Sequence, residues 1–244
     1  MPRRAGEASR EPPLILALDA AGSAASVVVA QGEAVLARRH VPTRHGQAEI
    51  LLPLVDAAMR EAGLAAGALD LVAVTVGPGG FTGIRVGLAA ARGIALASGA
   101  GLFGVTGFEA VAAALRVAGA GMQRLLVAIE SRREDLYIQL FDRDGRPLAP
   151  PASAMPAALA RLPQLGGRAG ALVVAGDAAA RAAAALPRGR VARIVDDAAD
   201  AAAGAAIVAY RGWLAGARGN PAHPLYLRPP DVTLPAPRSA AAPS

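Results

Sequence analysis

The sequence predicts an α/β protein of two lobes, each a mixed sheet flanked by helices, and three observations carry that reading. The two halves of the chain each set out strand-like runs and then alternate helix-like and strand-like runs. The 244 residues are 54% hydrophobic but only 3% aromatic, so the cores must be packed from Ala, Val, Leu and Ile. A glycine-rich loop, residues 76–80, separates a buried apolar run from a helical one, the junction at which a backbone can close on an anion.

The elements follow in order. LILALDA from Leu14 is a continuous apolar run of strand length, and SVVVAQ and EAVLARRH follow it across turns at Gly22 and Gly32, giving a three-stranded meander. From Glu49 to Ala62, Ile50, Leu51, Leu54, Val55 and Ala58 recur at helical spacing with Gly63 as a stop, and Pro53 predicts a kink or a late start. Leu69–Val76 reads as a buried strand, Thr82–Ser98 as a helix, GLFGVT as a short strand and Phe108–Val117 as a helix. The second half gives strands Arg124–Glu130 and Leu136–Asp142, and a turn at Asp142–Gly145. Helices follow in the Ala-rich stretch after Pro156, then strand Ala171–Ala175, a helix, strand Val191–Val195 and a long helix from Ala198 to Ala217. The repeated order suggests a duplicated lobe. The division expected is a disordered tail over 1–12, lobes over 13–120 and 121–228, and a second disordered tail over 229–244.

All 25 basic residues are Arg, against 19 acidic ones, for a formal charge of +6 and a pI near 11.0. The high pI reflects Arg, which titrates above ~12, rather than a dense basic patch. With Arg dispersed and no RNP, KH or zinc-finger pattern, a stand-alone nucleic-acid binder is the weakest functional class. The absence of Cys excludes disulfides, thiolate zinc and a cysteine nucleophile. No run approaches the ~18 apolar residues needed to span a bilayer, and MPRRAGEASREPP lacks an apolar signal core, so a cytoplasmic protein without membrane association is expected.

Gly77, Gly79, Gly80 and Thr82 form the candidate anion loop. The loop lacks the Lys of a P-loop and the third Gly of a dinucleotide fingerprint, so a plain tight turn explains it equally well. In the following helix Gly83, Gly87, Ala91, Ala95 and Gly99 recur every fourth position along one slowly drifting stripe. Such a stripe admits a close backbone, either of the same chain or of a partner subunit.

Four segments carry a family resemblance: LALDAAGSAASVVV, RHGQAEILLPLVDAAM, GPGGFTGIRVGLAAARGIAL and PLYLR at Pro224–Arg228. In order and spacing they resemble the TsaB (YeaZ) family of the ASKHA fold, the actin-like ATPase and ribonuclease H-like superfold. That family partners TsaD in making N6-threonylcarbamoyladenosine in tRNA. The resemblance implies a subunit without a catalytic centre or intrinsic cofactor, dimerising through its first two helices with TsaD or with itself. It implies assembly with the ATPase TsaE, indirect contact with tRNA, and ATP or ADP with magnesium at the partner interface if anywhere. The expected partner surface is His45, Ile50, Leu51, Leu54, Val55, Gly83, Gly87 and Ala91.

TsaD-like relatives hold a metal with two His on one helical face. Here His45 is followed by Glu49, and His40 and His223 lie in a strand and a tail, so no metal site is expected. Family members carry Asp-Thr-Ser or Asp-Thr-Ala where this chain has Asp19, Ala20 and Ala21, and Ser where it has Gly80. Their Asp-Ala-Arg stands here as Glu130, Ser131 and Arg132 ahead of Tyr137. Loss of the phosphate-holding hydroxyls argues against autonomous ATP hydrolysis. The alternative reading is an ASKHA-type kinase or TsaD-like transferase acting alone through Asp19 and the Gly77 loop.

Overall fold

The computed structural model describes residues 11–43, 46–117, 124–162, 165, 170–195 and 200–228. The tails expected to be disordered, apart from Glu11 and Pro12, and His45 lie outside the described residues. Strand β1 (Leu14–Asp19) is the centre of the first sheet, with β2 (Ala24–Gln31) and β3 (Ala34–Pro42) antiparallel on one side. On the other side β4 (Leu71–Thr75) and β5 (Gly101–Val105) run parallel, for an order β3-β2-β1-β4-β5. The second sheet repeats this in β6 (Leu125–Glu130), β7 (Leu136–Phe141), β8 (Ala152–Ala154), β9 (Leu172–Ala175) and β10 (Val191–Val195). Its order, β8-β7-β6-β9-β10, has the same parallel and antiparallel senses. The duplication suggested by the sequence is thus a repeated topology, and the two lobes are mixed sheets flanked by helices.

Both faces of the central strands are buried, which is why they read as continuous apolar runs rather than alternating ones. On the first sheet Leu16, Leu18, Val27, Val29, Val72 and Val74 face one way. They pack under helices α1 (Gln47–Glu61) and α2 (Phe81–Ser98). Ile15, Ala17, Val28, Leu71 and Ala73 face the other way, toward the interlobe layer. The second sheet divides likewise, with Leu126, Ile138 and Val174 on its outer face and Leu125, Val127, Phe141 and Val173 on its inner face.

The interlobe layer is made by two exchanged helices. Helix α3 (Gly107–Val117) follows β5, yet Phe108, Val111, Ala112 and Leu115 pack on the inner face of the second sheet. Helix α5 (Ala201–Leu214) follows β10, yet Ala202, Ala205, Ala206 and Ala209 pack on the first sheet. Packing therefore does not follow the order of the chain: α5, from the second half, completes the core of the first lobe. The two helices cross where Gly204 meets Ala110, and a Cβ on Gly204 would lie on the Ala110 carbonyl oxygen. Asp200 caps α5 by accepting from the backbone N–H groups of Ala202 and Ala203, at 3.0 and 3.4 Å.

Several sequence expectations are corrected. Pro53 does not delay α1, which begins at Gln47; Pro53 faces solvent, where water can satisfy the carbonyl that its missing N–H leaves free. The Ala-rich stretch after Pro156 forms a 3-10 segment, Pro156–Arg161, and a short helix α4 (Ala179–Ala184) follows β9. Strand β8, which no alternating pattern announced, sits in that Pro- and Ala-rich region. Among the described residues no helix is long and apolar enough to cross a membrane. Replacing Gly204 by Val should force the helix crossing apart and destabilise the fold by about 1–3 kcal/mol, read as a lower urea midpoint at unchanged slope.

Candidate functional site

The cleft between the lobes opens at the carboxyl ends of β1, β6 and β9 and at the first turns of α3 and α5. It is a cavity of about 60 Å³ whose polar lining includes Asp19, Ser26, His40, Asp177 and Asp200. Asp19 is buried, accepts from the Ala21 N–H at 3.2 Å and receives a short hydrogen bond from the Thr75 hydroxyl. Burial pushes its carboxyl up to about 6, against the smaller opposing effect of those hydrogen bonds, with Asp200 and Asp177 adding repulsion. Asp177 is also raised, first by burial, although it accepts from the Glu130 N–H at 2.9 Å. Asp200 is held by Arg38, whose Nε lies 2.6 Å from Oδ2 as an ion pair without hydrogen-bond geometry. Among the described residues no cluster of His, Asp and Glu is arranged to hold a metal ion.

The glycine loop closes on its own chain. Gly77 has φ 105°, and a side chain there would strike Ile84 at 2.8 Å and the Leu225 carbonyl at 2.9 Å. Gly79 lies against the Ala21 carbonyl, and the Gly80 N–H donates to that same oxygen at 2.8 Å. Gly83, at the start of α2, rests on the Ala20 carbonyl. The Gly80 amide expected to face a phosphate is therefore spent within the chain, and Thr82 is exposed. A cavity of about 60 Å³ is far below the ~300 Å³ at which small-molecule pockets begin. Ala20, Ala21 and Gly80 carry no hydroxyl, while Ser23 and Ser26 also line the cleft.

The structure also sorts the expected partner surface. Gly83, Gly87 and Ala91 are buried beneath α2 against their own sheet, with Gly87 in contact with Val74 and Ala20. Leu51 and Val55 are buried in the same core, and Leu54 and Ile50 are partly buried. These positions were read as docking residues because fourfold spacing marks a face without saying what covers it. The open face is the next one round: a groove of about 490 Å³ between α1 and α2, lined by Leu52, Val86, Ala89, Ala90, Gly93 and Ile94 among others. Leu52 is 54% exposed and Leu96, further along α2, 87%. Gly93 is mid-helix with nothing within 4 Å of where its Cβ would be.

Sequence reasoning missed Asp177 and Asp200 in the cleft. The signal available was the repeat itself, since Gly176-Asp177 follows β9 as the glycine loop follows β4, and Asp200 stands as a capping residue before an alanine run.

This is the architecture of a two-lobed ASKHA protein whose interlobe cleft is closed by its own backbone. The family model for TsaD, tRNA N6-adenosine threonylcarbamoyltransferase, matches residues 40–211. The chain is 34% identical over 132 residues to the tRNA threonylcarbamoyladenosine biosynthesis protein TsaB of Escherichia coli, covering 53% of this chain and 55% of that one. It is 36% identical over 147 residues to an uncharacterized protein of Mycobacterium leprae, covering 59% and 39%. YeaZ from Pseudomonas aeruginosa superposes with a TM-score of 0.75 at 26% identity, covering 88% of this chain and 100% of that one. The matched stretch spans less than two thirds of the curated relatives' own length. The chain belongs to the TsaB/YeaZ family, within the wider group that the TsaD model describes.

Because the native carboxyl of Asp19 holds its proton up to about pH 6 while an unfolded one releases it near 3.8, the folded state binds more protons across that window. Stability from this group therefore falls as pH rises from 4 to 6, by at most about 3 kcal/mol. Denaturation across pH 4–7 should show that fall, and Asp19→Asn should flatten it.

Proposed function

We propose that the chain is a non-catalytic partner subunit of the machinery that makes N6-threonylcarbamoyladenosine in tRNA, docking on a TsaD-type transferase through α1 and α2. The observation that carries the reading is the apolar groove between those helices, with Gly93 at its floor. A glycine inside a helix costs about 1 kcal/mol relative to alanine, and nothing among the described residues lies against Gly93 to compensate for it. A second backbone lying close along α2 would. Leu52, Val86 and Ile94 supply the apolar flanks that such an approach buries.

On this reading the threonylcarbamoyl transfer belongs to the partner, and a second copy of this chain competes for the same face when the transferase is absent. A TsaE-type ATPase joins the larger assembly. ATP or ADP with magnesium is held at the shared interface rather than in the closed cleft. The cleft keeps its residual carboxylates as packing of a fold inherited from nucleotide-binding ancestors.

Two substitutions test the docking face without entering the core. Leu52→Arg and Gly93→Arg should abolish capture of the TsaD-type transferase while leaving the melting temperature of the isolated chain within a few degrees of wild type. Gly93→Ala should stabilise the isolated chain by up to about 1 kcal/mol. By contrast, Gly87→Arg would disrupt the buried underside of α2 and report on folding. The decisive measurement is reconstituted tRNA modification by the transferase with and without this chain. Full activity of the transferase alone would defeat the reading, as would unchanged capture by both groove variants.

A further inference from the structure

Three of the segments singled out in the sequence meet at one surface patch outside the docking groove: the start of α2, the loop after β6 and the PLYLR segment. Phe81 and Arg85 stand on successive turns of α2, with the Arg85 guanidinium carbon 3.7 Å from the Phe81 ring centroid. Tyr226 stacks on Phe81 with centroids 5.4 Å apart and planes 30° apart, and Arg85 Nε donates to its hydroxyl at 3.1 Å. From the second lobe, Arg132 reaches over Gly80, its guanidinium 3.0 Å from the place a Cβ would occupy, and donates to the Gly22 carbonyl at 3.4 Å.

The patch has features that packing alone does not require. The chain has four Phe, three Tyr and one Trp, yet two of these eight rings stand here 47% and 41% exposed. Arg132 holds φ 63°, the one described non-glycine residue at positive φ, a conformation that costs about 1–3 kcal/mol and persists only where its surroundings impose it. Neither Arg85 nor Arg132 forms an ion pair with a described carboxylate. The acid nearest the PLYLR segment is turned inward: Asp135 is buried, bonded to Ser131 and Ser153, and paired with Arg228 at 3.2 Å. Exposed rings beside unpaired guanidinium groups form the surface that binds unpaired nucleotides, with bases on the π faces and phosphates on the arginines.

We infer that Phe81, Arg85, Arg132 and Tyr226 form a contact for an unpaired stretch of tRNA. This inference rests on the subunit role proposed above and adds a direct RNA contact to it. A protein partner on the same patch is the competing outcome.

The test is fluorescence anisotropy of a labelled, unmodified tRNA transcript titrated with the full chain alone, at about 50 and 200 mM salt. Arg85→Glu and Arg132→Glu should each weaken binding about tenfold or more, and each should lower the salt slope by about 1. Tyr226→Ala should weaken it by about 5- to 100-fold while Tyr226→Trp retains it, since any aromatic face can stack. Melting temperatures and capture of the transferase are measured on the same variants. Absence of tRNA binding by the wild-type chain, or equal affinity in all variants, would overturn the inference. So would loss of transferase capture at unchanged tRNA affinity, which would make the patch a protein interface. No transferase is present in the titration, so failure of the subunit role shows in the modification assay and failure of the RNA contact shows here.

Discussion

At several glycines among the described residues two backbones approach until no side chain fits between them, and the layered architecture depends on that contact. Gly79 and Gly83 rest on the carbonyls of Ala21 and Ala20, Gly176 rests on that of Ala128, and Gly204 rests on that of Ala110. They hold α2 to the first sheet, the loop after β9 to its neighbouring strand β6 within the second sheet, and α5 to α3 within the interlobe layer. A chain with few aromatic residues cannot fill wide gaps between layers, so it closes them and packs at near-contact distance. The cost is conformational, because glycine orders at greater entropic expense than alanine. The gain is the dispersion contact made at each close approach.

The same contact decides what the cleft can do. Ala20 and Ala21, in the turn after β1, carry no hydroxyl, and the glycine loop after β4 lies directly on them, with the Gly80 N–H bonded to the Ala21 carbonyl. Asp19 is left beneath this closure among other carboxylates, bonded to Thr75 and the Ala21 amide, with its proton affinity raised by burial. A carboxyl buried in such a place lowers stability as pH rises through its titration range.

Strands and the early helices were legible in the sequence because their signals are local. β1, β2 and β4 are unbroken apolar runs buried on both faces, and α1 and α2 carry helical periodicity with glycine stops. What was not legible was long-range. Nothing in AAAGAAIVAYRGWL says that α5 will cross back to cover the first sheet, since an Ala-rich helix fits any flat apolar surface. β8 is three residues of Ala and Ser, too short and too neutral to announce a strand. Asp177 and Asp200 were missed in the cleft because it is assembled from segments more than one hundred residues apart, and only the internal repeat linked them.

Helix α2 shows the limit most clearly, because it carries small residues on two faces. The stripe Gly83, Gly87, Ala91 and Ala95 is buried, and the neighbouring stripe of Ala89, Gly93 and Ala97 is exposed. Both obey the same fourfold spacing, so periodicity alone cannot tell the inward face from the outward one. The distinction lies in what stands opposite each missing side chain. At Gly83 the Ala20 carbonyl occupies the position, and the helix penalty is offset within the chain. At Gly93 the position is open, so no described residue offsets the penalty there. The buried stripe is accounted for by what it packs against, whereas contacts among the described residues give no such account of the exposed one.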